Sequence, residues 1–352
     1  MAYSRLTGEQ LNIVNFAKSG HNLCIFGQAG VGKSTVVQEI RRSMQEEGKW
    51  CQIVCASGIA CGAYDGYAKT VHSHYGLQIA ELPQNLLLER SLERANIIEQ
   101  IKKVDVLIWD EVSMSSLRLF NLVNLLHQET SESSFPFGGI QVILVGDFWQ
   151  LKPIQSGLDN GDPVYESKLF GEVFSHRFEL TKVLRQNLSE VRLKEALNVI
   201  RYGNCDDDTE RYLCSLSRDF PPSLNVAPAS SSTHSSSPVH IFFKRLPADV
   251  HNAAMLASLP GPKLTFKSSD VGCANLLDRT ISQVLHFKPG CRVMLVYNIN
   301  QHLKNGICGT FVEVGESGEE LLVDFSGVAY SGKFGISMIS QEQYKPVVHS
   351  SL

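Results

Sequence analysis

Residues 27–34, Gly-Gln-Ala-Gly-Val-Gly-Lys-Ser, have the types and spacing needed to bind phosphate groups. The pattern G-x-x-x-x-G-K-S is typical of a nucleotide-binding loop between a strand and a helix. Its glycines let backbone N–H groups turn towards phosphate oxygens, and the following helix start adds a positive partial charge. We expect Lys33 to reach the terminal phosphates and Ser34 to bind Mg²⁺. The predicted nucleotide-binding residues are therefore Gly27, Gln28, Ala29, Gly30, Val31, Gly32, Lys33, Ser34 and Thr35.

Two acidic residues follow a later apolar segment. Residues 105–110, Asp-Val-Leu-Ile-Trp-Asp, predict a buried strand, and Glu111 comes directly after it. In a nucleotide-binding α/β domain, the first acidic residue of such a pair holds Mg²⁺ and the second orients the attacking water. These roles fit Asp110 and Glu111. Gln150, which follows another apolar strand, is an amide able to hydrogen-bond a γ-phosphate, but taken alone it is better explained as a polar loop residue.

Alternating apolar and helical patterns predict the elements that position these residues. Strands are expected at 21–26, 50–57, 105–110 and 140–147, and helices at 33–47, 86–104, 116–129 and 190–203. Strands this apolar must be covered on both faces, which indicates an α/β fold with a doubly wound parallel sheet. Farther on, the sequence predicts a strand at 239–244 and a helix at 247–259. Short segments punctuated by glycine from about Phe287 onward suggest a small β-barrel-like module.

The composition excludes some classes of protein and leaves others open. The 352 residues are 43% hydrophobic, and no apolar run is as long as the roughly 18 residues that cross a membrane. The N-terminal residues lack a targeting pattern, so we expect an intracellular protein with no membrane partner. A net charge of −4 neither indicates nor excludes nucleic acid. The nine cysteines lack zinc-like spacing and are expected to be reduced, while the Pro/Ser-rich residues 221–238 predict a flexible insertion.

Several segments together resemble the motifs of the 5′→3′ superfamily 1B DNA helicases of the petite-integration-frequency type. They are RLTGEQ, FGQAGVGKST, ASGIACGAYDGYAKTVHS, IWDEVSM, FPFGGIQVILVGDFWQLKP and LTKVLRQ, in that order. The run PFGGIQ ahead of GDFWQL is especially specific. Residues 287–314 resemble the segment that leads into the SH3-like insertion of the family. The resemblance extends from residue 5 to about residue 315 and leaves the Ser-rich insertion unmatched.

The resemblance implies a division of the chain and a set of roles. It implies a RecA-like ATP-binding lobe at 1–177, a partial second RecA-like lobe at 178–286, and an SH3-like β segment with a tail at 287–352. Gln10 would recognise the adenine edge, Gln150 would sense the γ-phosphate, and Arg185 would reach that phosphate from the second lobe. The implied catalytic set is therefore Lys33, Asp110, Glu111, Gln150 and Arg185. Ser57, Thr70 and His72 would contact DNA. The alternative interpretation of His72 is a loop histidine that pairs with a nearby group of the protein.

The implied activity is that of an ATP-dependent 5′→3′ DNA helicase using ATP and Mg²⁺. Its partners would be single-stranded DNA and forked duplex DNA, in replication, repair, recombination or telomere maintenance. We expect a monomer, located in the nucleus or alternatively in the mitochondrion.

A departure from the family pattern leaves a second interpretation open. We find neither the HKSQG-like motif nor the final serine-arginine motif between Val314 and Leu352, and therefore expect a shortened chain. The alternative is an ATP- and DNA-binding protein without robust unwinding. A P-loop signalling ATPase unrelated to DNA is a third interpretation, which PFGGIQ and KTVHS disfavour.

Overall fold

The computed structural model describes residues 6–77, 82–184, 190–217, 240–267, 284–296, 303, 307–315, 320–325 and 333–337. The chain forms two compact units, Met1–Ser217 and Arg218–Leu352. The division at 177 and 286 expected from the family resemblance stays a prediction.

A six-stranded parallel sheet forms the centre of the first unit. Its strands are β1 (Leu23–Phe26), β2 (Cys51–Cys55), β3 (Ala68–Thr70), β4 (Val106–Asp110), β5 (Gln141–Gly146) and β6 (His176–Glu179). They pair in the order β3-β2-β4-β5-β1-β6, and every pairing is parallel. The predicted parallel sheet of an α/β fold is confirmed. The two short edge strands, β3 and β6, were missed because they carry little apolar sequence.

Helices cover both faces of this sheet. They are α1 (Gly8–Lys18), α2 (Lys33–Glu46), α3 (Gly58–Cys61), α4 (Val71–His74), α5 (Gln84–Leu92), α6 (Ala95–Lys102), α7 (Leu117–Ser131) and α8 (Lys168–Val173). The first unit also contains α9 (Val191–Arg201) and α10 (Asp207–Ser215), which add nothing to the two buried clusters of the sheet. Alternate strand residues point to opposite faces. Ile53 and Ile108 therefore pack against α1, α2 and α3, while Val54 and Trp109 pack against α4 to α8.

The single helix expected at 86–104 is wrong, because the chain forms α5 and α6 with a break between them. Arg94 lies at the break with φ −99° and ψ 103°, and its guanidinium donates to the carbonyl of Gly76 at 3.0 Å. Both helices nevertheless bury apolar residues in the same core, Leu87 from α5 and Ile97 with Ile101 from α6. The apolar pattern therefore runs through the break, which explains the error.

The second unit contains one described helix and two small antiparallel sheets. The helix is α11 (Arg245–Ser258), and β7 (Leu264–Lys267) pairs with β8 (Val284–Phe287). The second sheet has the order β12-β11-β10-β9 and consists of β9 (Arg292–Met294), β10 (Cys308–Val314), β11 (Glu320–Asp324) and β12 (Lys333–Ser337). Phe311, Val323 and Phe325 form its buried core. The short strands expected after Phe287 are confirmed, whereas the pairing of β7 with β8 was not anticipated.

The strand expected at 239–244 is wrong for the residues that the structure describes, 240–244, which form no strand. Ile241 and Phe243 are almost fully exposed, at 93% and 104%. Alternating apolar residues favour a strand only where a neighbouring strand pairs with it. Among the described residues, this segment has no such neighbour.

The described ranges contain neither a membrane-spanning helix nor a metal-binding cluster. There, no helix is long and apolar enough to cross a membrane. The same residues hold no cluster of three or more His, Cys, Asp or Glu suited to a metal ion. The predicted flexible insertion at 221–238 lies outside the described residues.

Candidate nucleotide-binding site

Three neighbouring strands bring the predicted catalytic segments to one edge of the sheet. Strands β4, β5 and β1 are adjacent and parallel, so their carboxyl ends meet at that edge. The phosphate loop follows β1, Asp110 ends β4, and the segment Asp147 to Gln150 follows β5. Ligands of open α/β sheets bind at this kind of edge.

The phosphate loop needs glycine at its junction with α2. Gly32 is the residue before the helix and has φ +87°, a conformation that side chains rarely adopt. A Cβ atom at Gly32 would lie 2.6 Å from Nε2 of Gln10. Gly30 has the same φ of +87°. At Gly30 and Gly32 the loop therefore presents its backbone at the surface, because glycine has no side chain.

Lys33 turns back into the loop that precedes it. Its Nζ donates to the carbonyl oxygens of Gly27 at 2.7 Å and of Gln28 at 3.2 Å. Burial lowers the pKa of Lys33, while the nearby carboxylates of Glu111, Asp147 and Asp110 act in the opposite direction. The structure thus brings the predicted phosphate-binding cation and the acidic groups into one electrostatic cluster.

Gln10 lies against the phosphate loop, and its amide bonds within the protein. The amide oxygen accepts from the backbone N–H of Thr7 at 3.0 Å, and Nε2 donates to the carbonyl of Val31 at 3.3 Å. Thr7 accepts from the Gln10 backbone in return, which makes a capping box at the start of α1. The structure places Gln10 beside the loop, and its role in recognising adenine stays a prediction.

Asp110 is buried at the end of β4 and bonds to two donors. The phenol of Tyr64 donates to Oδ2, and the backbone N–H of Glu111 donates to Oδ1 at 2.9 Å. Burial raises the pKa of Asp110. Tyr64 also interacts with the side chain of Ser34, the other predicted Mg²⁺ ligand. A hydroxyl and a carboxylate are the hard oxygen donors that Mg²⁺ prefers, so these residues fit the ion.

Glu111 has a left-handed backbone conformation directly after Asp110. Its φ is +53° and its ψ is +39°, and it precedes a single 3₁₀ turn, Val112–Met114. Burial and the charge of Asp110 raise the pKa of Glu111. Its side chain lines a cleft of about 220 Å³ together with Ser57 and Gln150. The side chain of Glu111 therefore faces an open cleft, and its role as a base stays a prediction.

Two residues that the sequence analysis did not select complete the edge after β5. Asp147 is 1% exposed and accepts from the N–H of Trp149 at 3.2 Å, from Nε2 of Gln150 at 3.1 Å and from Arg201 at 2.9 Å. The rule that selected Asp110, an acidic residue at the end of an apolar strand, also applies to Asp147. Arg201 gives no such signal, because it lies at the end of an ordinary amphipathic helix.

The residues expected to contact DNA lie at the ends of β2 and β3. Ser57 caps α3 by accepting from the N–H of Ala60 at 3.3 Å, and Thr70 caps α4 by accepting from Ser73 at 3.1 Å. His72 is half-buried on α4, and burial lowers its pKa. Ser57 shares the cleft with Glu111 and Gln150, whereas Thr70 ends the edge strand β3 and His72 lies on the helix after it. Their contact with DNA stays a prediction.

Arg185 lies outside the described residues, so the structure does not place it. The described segment before it ends at Leu184, whose N–H donates to the carbonyl of Gly30 at 2.8 Å.

Comparison with known proteins identifies the family. The model of the PIF1-like helicase family matches residues 5–210, more than half of the 352 residues. The ATP-dependent DNA helicase PIF1 of Saccharomyces cerevisiae is 30% identical over 321 residues, covering 88% of this chain and 36% of that protein. The Pif1 helicase of Bdellovibrio bacteriovorus is 26% identical over 358 residues, covering 96% of this chain and 76% of that protein.

Solved structures have the same fold. The crystal structure of Pif1 helicase from Candida albicans superposes with a TM-score of 0.78 at 25% identity, covering 95% of this chain and 79% of that one. Bacteroides Pif1 bound to single-stranded DNA gives a TM-score of 0.71 at 22% identity, covering 95% and 74%. The chain spans 34% to 43% of the length of four fungal relatives. The fold is that of a RecA-like P-loop helicase, and the chain belongs to the PIF1-like helicase family.

Proposed function

We propose that this chain is the ATP-driven motor of a DNA helicase, which couples ATP hydrolysis to movement along single-stranded DNA. The observation that carries the proposal is the shared edge of β4, β5 and β1. There the charged groups Lys33, Asp110, Glu111 and Asp147 lie close enough to act on one another. The amide of Gln150 donates to the carboxylate of Asp147. The S. cerevisiae and human relatives are named ATP-dependent DNA helicases, which supports this activity.

The residues of the candidate site have separate roles in the proposed hydrolysis. The loop 27–33 cradles the phosphates through its backbone, and Lys33 exchanges its loop carbonyls for phosphate oxygens. Ser34 and Asp110 would hold Mg²⁺, which supplies positive charge to the phosphate oxygens when it is bound. Glu111 accepts a proton from the attacking water, and Gln150 detects the γ-phosphate. Arg185 is proposed to add a second cation at that phosphate.

The proposed DNA path runs past the ends of β2 and β3. Ser57 and Thr70 are half-buried there and cap two helices, and His72 lies two residues after Thr70 on α4. Hydroxyl and imidazole groups hydrogen-bond the phosphates of a single strand without reading its sequence. Single-stranded DNA is bound to Bacteroides Pif1 in its crystal structure, and forked DNA is named with two Pif1 helicases in another. Both are the proposed substrates here.

The ATPase rate measured with and without single-stranded DNA tests the proposal. We expect DNA to stimulate the wild-type rate, and Lys33→Ala to lower it by about 10² or more because a transition-state cation is lost. Lys49→Ala is the matched control, since the side chain of Lys49 is exposed and forms an ion pair with Glu47 at 3.0 Å. Tight binding of ATP and DNA with negligible turnover would instead support a binding protein without unwinding. Insensitivity to DNA in both binding and turnover would contradict the proposal.

Polarity and biological setting need separate measurements. We propose 5′→3′ movement, a monomeric motor, and a nuclear role in replication, repair, recombination or telomere maintenance. Duplexes with a single 5′ or 3′ tail test the direction, because only the 5′-tailed duplex should be unwound. Sedimentation in the presence and absence of DNA tests the monomer. A fluorescent fusion distinguishes the nucleus from the mitochondrion.

A further inference from the structure

We propose that Arg201 is a positioning residue that sets the γ-phosphate sensor Gln150 by acting through the carboxylate of Asp147. The inference rests on the proposed function, because it assigns Arg201 to the same ATP site. It concerns a residue on α9, outside the motifs that the sequence analysis selected.

One buried carboxylate joins the sensor to the helix. Oδ1 of Asp147 accepts from Arg201 at 2.9 Å and from the N–H of Trp149 at 3.2 Å, while Oδ2 accepts from Nε2 of Gln150 at 3.1 Å. The Gln150 backbone N–H also donates to the Asp147 carbonyl at 3.0 Å. The amide of Gln150 therefore has its orientation fixed by the group that Arg201 neutralises.

The charge of this carboxylate makes its pairing important. The side chains of Asp147 and Arg201 are only 1% and 12% exposed, so water screens the pair weakly. Asp147 lies near enough to Lys33 and Glu111 to influence both. Without Arg201, the negative charge of this carboxylate would repel a γ-phosphate. The carboxylate would also no longer be fixed in position, and neither would the Gln150 amide that bonds to it.

A second contact ties the same two segments together. The rings of Trp149 and Tyr202 meet edge to face, with centroids 5.2 Å apart. Arg201, the last residue of α9, and Tyr202, the residue after it, therefore contact two residues of the loop that carries Gln150. We call these four residues, Asp147, Trp149, Arg201 and Tyr202, the sensor clasp.

The clasp is not a by-product of helix burial. Of the eleven described residues of α9, only Ala196 is buried. The buried Nε of Arg201 has no hydrogen-bond partner in the part of the chain that the structure describes. Because an unpaired buried donor is unfavourable, packing alone does not explain why an arginine lies there.

Nucleotide affinities of Arg201→Gln test the role. ADP lacks the γ-phosphate, so a residue that positions its sensor should affect ATP binding and spare ADP. We expect the Kd of a non-hydrolysable ATP analogue with Mg²⁺ to rise about tenfold or more, which is the loss of one hydrogen bond to a charged group. The Kd of ADP should change by less than about twofold. Arg192→Gln is the matched control on the same helix, because Arg192 pairs with Asp208 at 3.3 Å in solvent, and it should change neither Kd.

A double-mutant cycle tests the route through Asp147. In an Asp147→Asn background, Arg201→Gln should change the Kd of the ATP analogue by less than about twofold, because no carboxylate remains to be neutralised. An undiminished effect there would mean that Arg201 touches the phosphate directly, which overturns the inference. If Arg201→Gln alone fails to fold, the double variant and Arg201→Lys replace it. The double variant should then fold and match Asp147→Asn, and Arg201→Lys should keep most of the preference for the ATP analogue over ADP.

Other outcomes also overturn the inference. Equal losses of ADP and analogue binding in Arg201→Gln would show a merely structural role, and so would a result no different from Arg192→Gln. These failures leave the proposed function intact as long as the wild type binds the ATP analogue. A wild-type chain that binds no ATP analogue at all would contradict the proposed function together with this inference.

Discussion

The phenol of Tyr64 donates a hydrogen bond to the buried carboxylate of Asp110 at the end of β4. Tyr64 is 2% exposed and ends a 3₁₀ turn, Gly62–Tyr64, that follows α3. Burial and the charge of Asp110 both raise the pKa of Tyr64, so the phenol keeps its proton and acts as a donor. Tyr64 therefore orients the carboxylate that is proposed to hold Mg²⁺.

The first prediction follows from this bond. Tyr64→Phe removes the donor and leaves the ring, so the carboxylate of Asp110 loses one of its two orienting bonds. Loss of a group that orients a metal ligand costs about 10- to 100-fold in metal affinity or activity. The measurement is the Mg²⁺ concentration that gives half of the maximal ATPase rate, which should rise. Tyr67→Phe is the control, because the exposed ring of Tyr67 stacks under Arg41 at 3.6 Å. An unchanged Mg²⁺ dependence in Tyr64→Phe would contradict the prediction.

The second prediction concerns the base. Glu111→Gln keeps the shape of the side chain but cannot accept a proton, so the ATPase rate should fall about 10²- to 10⁴-fold while ATP still binds. The wild-type rate should also depend on pH. Because a base works only when deprotonated, and because burial raises the pKa of Glu111 above its usual 4.5, activity should disappear as the pH falls through a value above 4.5.

Glu132→Gln is the control for that variant. Glu132 also has a left-handed conformation, with φ +49°, but it lies exposed at the end of α7. The rate of Glu132→Gln should match the wild type. A Glu111→Gln variant that hydrolyses ATP at the wild-type rate would show that another group activates the water.

The third prediction separates backbone strain from steric clash in the phosphate loop. Gly32→Ala places a Cβ 2.6 Å from the Gln10 amide, whereas Gly20→Ala has open space around it, and both positions have φ near +85°. Both variants should lose about 1–2 kcal/mol of unfolding free energy from the left-handed conformation. Only Gly32→Ala should also lose ATP affinity. Urea denaturation and ATP titration measure the two effects, and equal ATP affinities in the two variants would argue against the clash.

The fourth prediction is an acid sensitivity set by two buried histidines. Burial lowers the pKa of His74 to about 3 and that of His127 to about 4. In the unfolded chain the pKa of both histidines should be near 6.5. Unfolding therefore binds protons whenever the pH lies between the folded-state pKa and 6.5. Stability is therefore complete above pH 6.5 and decreases as the pH falls. Between pH 7 and pH 5 the loss should be about 2 kcal/mol for each histidine.

His74→Leu tests this origin of the acid sensitivity. His74 is fully buried, and neither ring nitrogen has a hydrogen-bond partner among the described residues. Leucine therefore leaves no polar group unpaired, and stability at pH 7 should be unchanged or higher. The decrease from pH 7 to pH 5 should become about 2 kcal/mol smaller than in the wild type. Urea denaturation at the two pH values provides the test, and an equal decrease in both proteins would refute the assignment.

Local sequence was sufficient for the parts of the site that depend on spacing along the chain. The glycines of residues 27–34 and the acidic pair after an apolar strand are visible as patterns because strand, loop and helix follow one another directly. The same holds for β1, β2, β4 and β5, whose apolar residues alternate between two buried faces. The resemblance to a helicase family rests on these same local segments.

The tertiary structure decided which distant residues meet. Arg201 reaches Asp147 across 54 positions, and Tyr64 reaches Asp110 across 46, so no local pattern connects either pair. Sequence patterns also did not predict the break between α5 and α6 or the absence of a strand at 240–244. Both depend on the tertiary contacts that the apolar residues make. Sequence spacing thus determined the phosphate loop and the acidic pair. Folding decided their partners, since hydrogen bonds and ion pairs form between residues that the parallel sheet brings to one edge.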